Sequence, residues 1–119
     1  MTLQVINPFQ WIGVDLDGTL AYYDGWNGAH HIGRPVKRMR ERVLAHMAAG
    51  DRVKIFTARA TKGRPEYDEA IAAIEKWCLK YLGQVLEITN EKDFGCIRIY
   101  DDRAVQIEMN TGRRVDGLE

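Results

Sequence analysis

The stretch Trp11-Ile12-Gly13-Val14-Asp15-Leu16-Asp17-Gly18-Thr19-Leu20 sets the reading of the whole chain. Trp11 to Leu16 is short, largely apolar and partly β-branched, which predicts a strand. The strand ends on two carboxylates at alternate positions, and alternate strand residues share a face, so Asp15 and Asp17 are expected side by side. Gly18 then permits a sharp turn that brings backbone N–H groups toward an anion, with Thr19 beside it. Gly18 and Thr19 are therefore expected to bind substrate.

Reading outward, apolar runs alternate with helical periods. Residues 35–49 predict a helix, with Val36, Met39, Val43, Leu44 and Met47 on one face, Pro35 at its start and Gly50 at its end. Arg52 to Thr57 predicts a second strand. Residues 65–82 predict the longest helix, with a stripe through Tyr67, Ala70, Ile71, Ile74, Trp77, Cys78, Tyr81 and Leu82. Acids crowd its first turn and lysines its last, as the helix dipole favours. Residues 85–88 and 96–100 predict the third and fourth strands. The tail fits either a hairpin at Asn110-Thr111-Gly112 or a helical turn after Asp102.

Strands alternating with helices imply an α/β fold with a mostly parallel sheet, here expected as a Rossmann-like domain of three layers. At 119 residues the chain is expected to form one domain, residues 1–119. Such sheets bind ligands at the C-terminal ends of their strands. That rule selects Asp15 and Asp17, Thr57 to Arg59, Thr89 to Lys92, and Asp101 to Arg103.

Composition excludes some classes. The chain carries 17 basic and 17 acidic residues, so net charge gives no argument for a nucleic-acid coat or a membrane-surface binder. It is 45% hydrophobic and 29% charged, ordinary for a globular protein. No apolar run reaches the length of a membrane span, and the first residues lack a signal-peptide pattern, so a cytoplasmic location is expected. Cys78 and Cys96 lack metal spacing and are read as reduced, buried thiols.

Asp15 and Asp17 end one strand, and Asp101 and Asp102 end another. If those strands are neighbours, four carboxylates converge and raise one another's pKa. A bound Mg²⁺ relieves the repulsion, because it favours carboxylate, carbonyl and water oxygens and bridges to phosphate. The plainer alternative is a set of solvated turn residues and N-caps. Two pairs, each directly after a strand, favour the metal. A carboxylate nucleophile also needs a second acid for the leaving oxygen, and Asp17 is the candidate.

These residues resemble the haloacid-dehalogenase superfamily. Asp15-Leu16-Asp17-Gly18-Thr19-Leu20 is similar to its first motif. Ile55-Phe56-Thr57-Ala58-Arg59 is similar to its second, Lys92 resembles its third-motif lysine, and Tyr100-Asp101-Asp102-Arg103 resembles its acidic fourth. The resemblance implies that Asp15 attacks phosphorus and that Asp17 serves as acid and then base while its carbonyl ligates Mg²⁺. It implies that Thr57 binds the phosphoryl group, with Ala58 and Arg59 beside it, and that Lys92 neutralises charge. Asp102 and Asp101, with Asp15, complete the metal set. The second aspartate implies a phosphate-monoester hydrolase rather than a dehalogenase.

Neither gap that holds a cap domain in this superfamily is long enough for one here, so a capless member is expected, with residues 18–34 as a short flap. An open site suits a phosphorylated small molecule, a phosphoprotein, a nucleic-acid end, or closure by a second subunit in a homo-oligomer. Tyr22, Tyr23 and Trp26 of the flap could stack on bases or pack on the domain, and His30 and His31 are given no chemistry. The basic loop Arg59-Ala60-Thr61-Lys62-Gly63-Arg64 and the Asp-Asp-Arg motif are similar to the phosphatase half of polynucleotide kinase-phosphatases. A nucleic-acid 3′-phosphatase is thus the specific alternative. Arg103 is read as structural, pairing with nearby acids. A non-catalytic, receiver-like phospho-acceptor is the rival outside enzymes.

Overall fold

The computed structural model describes Val5 and residues 7–118. Its elements are β1 (Trp11–Val14), α1 (Lys37–Ala48), β2 (Val53–Phe56), α2 (Tyr67–Leu82), β3 (Glu87–Thr89) and β4 (Cys96–Tyr100), with a 3-10 turn at Ala58–Ala60 after β2. The sheet order is β3-β2-β1-β4, and every pairing is parallel. The α/β class and the parallel sheet therefore stand as expected.

Strands β1 and β2 alternate cleanly between two faces. Ile12, Val14, Val53 and Ile55 share one core with Met39 and Val43 of α1 and Ile74, Trp77, Cys78 and Leu82 of α2. Each such side chain, once buried, contributes about 1.5–3 kcal/mol of hydrophobic free energy. Both helices thus cover the same face.

The expected third layer is not built by a helix. Parallel strands are normally joined through about a dozen residues or more, usually a helix. Residues 90–95, between β3 and β4, are too few for that. They return as plain chain across the other face, where the Trp11 indole donates to Asp93 Oδ1 at 2.8 Å and the Trp11 N–H to the Gly95 carbonyl at 2.7 Å. Trp11 is fully buried, its ring edge-on to Phe56 and 4.4 Å from the Lys54 ammonium. Gly13 makes this possible: a Cβ there would stand 3.1 Å from the indole.

Element ends differ from expectation by small amounts with clear causes. Pro35 bridges to Ala21 and Pro65 lies in a turn, so the two helices start just after these prolines. Gly50 and Gly83 end the helices at φ +85° and +83°, which glycine adopts without a steric cost. The third strand slides to 87–89 because Leu86 turns into the core before pairing begins. The tail is a hairpin: Ile107 bridges Arg114 in antiparallel fashion, and Asn110 and Gly112 take positive φ. Cys78 is buried, Cys96 is half-buried, and neither forms a disulfide. No helix of the described residues is long and apolar enough to cross a membrane.

β1 is flanked by β2 and β4, with Val14 opposite both Ile55 and Tyr100. Three neighbouring strands thus end together, and Asp15, Thr57 and Asp101 follow at one rim. This is the switch point of the sheet, where α/β folds place ligands.

Candidate active site

The rim opens into a cleft of about 740 Å³, lined by Asp15, Asp17, Thr57, Arg59, Asp101 and Asp102 among others. The acidic residues from the two ends of the sequence meet there. Asp15, Asp101 and Asp102 each offer a carboxylate oxygen within 4.8 Å of the others.

Thr19 fastens this cluster. Its hydroxyl donates to Asp102 Oδ1 at 2.8 Å, accepts the Asp102 N–H at 3.0 Å, and stands 3.4 Å from Asp15 Oδ2. Thr19 is itself buried, so it joins the carboxylates to one another and leaves no hydroxyl hydrogen for a substrate. The backbone adds a further tie, from the Asp15 N–H to the Tyr100 carbonyl at 2.9 Å.

Gly18 acts differently from expectation. Its N–H closes the turn by donating to the Ala21 carbonyl at 2.9 Å, so it is not aimed at a ligand. The glycine instead clears space. Its φ is +87°, and a Cβ would stand 2.9 Å from Asp102 Oδ2.

β1 ends at Val14, so Asp15 and Asp17 lie in the turn after the strand, and both line the cleft. The Asp17 carboxylate faces Arg59, whose Nε donates to Oδ2 at 2.7 Å and whose Nη2 donates to Oδ1 at 2.9 Å. The Arg59 fork, expected on phosphate, is thus held by an aspartate. Its remaining N–H groups reach the carbonyls of Ala29 at 3.3 Å and His31 at 3.0 Å. Trp26 covers the guanidinium, 4.9 Å from its ring centre. The 18–34 segment is further held by Trp77 Nε1, which donates to the Gly33 carbonyl at 2.8 Å.

Thr57 is buried at the end of β2, and its Oγ1 accepts the Arg59 N–H at 3.1 Å. Among the described residues nothing accepts its hydroxyl hydrogen, which remains for a ligand in the cleft. Ala58 is exposed on the cleft wall. Arg64 and Arg103 also line it. Arg64 pairs with Glu66 at 2.8 Å. The Arg103 guanidinium forms no close ion pair among the described residues, but its backbone N–H binds Asp101 at 2.7 Å and its charge helps to hold the Asp102 carboxyl down.

Lys92 is exposed and does not line the cleft. Asn90 does, with its Nδ2 3.4 Å from Thr61 Oγ1. Beyond Asn90 the chain turns back along the sheet, and the Lys92 charge acts on the Cys96 thiol near the opposite rim.

Electrostatics fit the crowding. Burial, the hydrogen bond with Asp102 and the charges of Asp101 and Asp102 push the Asp15 carboxyl up to about 7. The Thr19 hydroxyl, above all, holds Asp102 below the usual carboxylate range. Three carboxylate oxygens this close, with no ion pair among the described residues, suit a hard divalent cation.

Sequence reasoning missed one buried network under the site. Asp51 Oδ2 lies 2.8 Å from His46 Nδ1, and His46 Nε2 lies 3.0 Å from the Tyr100 hydroxyl. Burial opposes the Asp51 charge, but the bonds from His46 and the Val5 N–H outweigh it and hold the carboxyl below its ordinary value. Tyr100 immediately precedes Asp101 and Asp102, so the network steadies the strand end that carries them. The three residues come from α1, its following loop and β4, and no local spacing links them.

Comparison with family models, with curated proteins and with solved structures finds no match to this chain.

Proposed function

We propose that this protein is a Mg²⁺-dependent phosphate-monoester hydrolase acting through an aspartyl-phosphate on Asp15. The observation that carries the reading is the meeting of Asp15, Asp101 and Asp102 at one rim, with Thr57 and its unshared hydroxyl hydrogen lining the same cleft. The haloacid-dehalogenase resemblance of the motifs that hold Asp15, Thr57 and Asp101-Asp102 also supports the reading.

A carboxylate oxygen of Asp15 attacks phosphorus, and the bond from phosphorus to the ester oxygen breaks. Asp17 rests as a carboxylate on Arg59, so it first takes a proton from solvent as the fork releases one oxygen, and then gives that proton to the departing oxygen. Thr57 donates its hydroxyl hydrogen to a phosphoryl oxygen. Water then attacks the same phosphorus while Asp17 takes a proton from it, and phosphate leaves with the Asp15 carboxylate restored. Asp15, Asp101, Asp102 and the Asp17 carbonyl would hold Mg²⁺, which supplies neutralisation of charge on the phosphoryl oxygens. Further positive charge comes from Arg103 and Arg64 on the cleft wall. Lys92, expected to neutralise charge, lies off the cleft wall and takes no part in this proposal.

The test is phosphate release from p-nitrophenyl phosphate. Turnover should require Mg²⁺, stop in EDTA and fall by about three orders of magnitude or more in Asp15→Asn. Equal rates in wild type and variant, or with and without EDTA, contradict the proposal. A single phosphorylation without turnover would favour the receiver-like alternative.

A further inference from the structure

We infer that the substrate carries a nucleobase joined through a pentose to its phosphate, and that Trp26 is the surface on which the base stacks. This rests on the hydrolase reading above.

Trp26 and Tyr23 stand on the 18–34 segment and line the same cleft as Asp15 and Thr57. Trp11 and Trp77 are buried, whereas Trp26 is 53% exposed. One face of the indole rests on Arg59, and about half of the residue stays open. Arg59 cannot swing away easily, since its side chain is only 5% exposed and is fixed by Asp17 and by the carbonyls of Ala29 and His31. The result is an aromatic platform on a fixed backing, in an acidic, cation-ready cleft. Exposed rings of this kind bind any base through its π-face.

The shared cleft points to the class of ligand. Trp26 lies on the guanidinium that holds Asp17, and Asp15, Asp17 and Trp26 line the same cleft. A nucleotide would put its phosphate at Asp15 and its base on the ring. A simple sugar phosphate leaves the ring unused. Arg103, free of any ion pair among the described residues, offers a contact for a second phosphate if the substrate is the end of a nucleic-acid chain.

The experiment compares kcat/KM, with Mg²⁺, for ribose 5-phosphate, nucleoside 3′- and 5′-monophosphates, and oligonucleotides bearing a terminal 3′- or 5′-phosphate. At least one base-bearing ester should exceed ribose 5-phosphate by about tenfold or more. Trp26→Ala should bring that ratio close to one, and Trp26→Phe should keep most of it. A preference for the monophosphates identifies a free nucleotide, and one for the oligonucleotides a nucleic-acid end; both support the inference. Equal rates on ribose 5-phosphate and every base-bearing ester, or a ratio that survives Trp26→Ala, overturn it. If no ester is hydrolysed, p-nitrophenyl phosphate included, the hydrolase reading fails. Binding is then read alone: the same nucleotides should quench tryptophan emission in Asp15→Asn but not in Asp15→Asn with Trp26→Ala. No quenching by any of them overturns the inference.

Discussion

Arg59 grips Asp17 side-on, with Nε donating to Oδ2 at 2.7 Å and Nη2 to Oδ1 at 2.9 Å. One side chain thereby fixes the proposed acid–base residue, the flap carbonyls of Ala29 and His31, and the underside of Trp26. Removing it leaves a partly buried carboxylate and two carbonyls without partners. Arg59→Ala should therefore cost about 3 kcal/mol of stability, read by urea unfolding. Arg59→Lys keeps the charge but loses the fork, and should recover only part of both stability and turnover. Wild-type stability in Arg59→Ala would contradict this account of the latch.

Gly18 gives a sharper geometric test. A methyl at this position would press on Asp102 Oδ2 and would also force an L-residue into positive φ. Gly18→Ala should lose about 1–2 kcal/mol of stability. It should also weaken Mg²⁺ binding, measured by calorimetry, because the carboxylate that moves belongs to the proposed metal set. Unchanged Mg²⁺ affinity would mean that Asp102 is not held where the ion sits.

The raised pKa of Asp15 sets a pH dependence for the metal-free protein. The folded state keeps the proton up to about 7, whereas the free carboxyl loses it near 3.8. Between those values the folded state binds more protons than the unfolded, so this group's contribution to stability falls as pH rises. Thermal unfolding in EDTA should show Asp15→Asn gaining more over wild type at pH 8 than at pH 5. Added Mg²⁺ should stabilise wild type most at the higher pH, where the carboxylate is ionised. A gain that does not vary with pH would contradict the crowding described for Asp15.

The His46–Asp51 pair should behave in the opposite sense. The Asp51 carboxyl is held below its usual 3.8, so its contribution is present above that value and is lost as pH falls through the lowered one. His46→Phe leaves the buried Asp51 charge and the Tyr100 hydroxyl short of a partner, and should cost about 2–4 kcal/mol at neutral pH. Asp51→Asn should flatten the acid limb of the stability curve below about pH 4, where wild type loses this interaction. An acid limb unchanged in Asp51→Asn would show that the pair does not carry it.

The parts of this molecule that sequence reveals are those with local periodicity. The β1 residues Ile12 and Val14 and the α2 stripe through Ile74 and Cys78 announce their buried faces by spacing alone, and the strand ends follow from them. The motif order likewise pointed to Asp15, Asp101 and Asp102 before their oxygens could be seen within 4.8 Å. What spacing does not reveal is how a polar group is partnered across the chain. Arg59 had the chemistry to bind phosphate, and only the fold shows it gripping Asp17, 42 residues away. Gly18 offered an N–H by sequence, yet the turn closes on that N–H through Ala21. The missing third layer had a visible cause, the brevity of residues 90–95, but covering the sheet there required Trp11 to lie flat over Gly13. That same return path carries Lys92 off the cleft wall.

The most direct measurement is chemical capture of the intermediate. The protein is mixed with a hydrolysable phosphate ester and Mg²⁺, quenched during turnover and reduced with borohydride, and the peptides are read by mass spectrometry. Reduction of an acyl phosphate converts the aspartate side chain to that of homoserine. The account predicts this change at Asp15 and at no other carboxylate, Asp17 included. Sustained phosphate release with Asp15 unmodified, or with the label on Asp101 or Asp102, would contradict it.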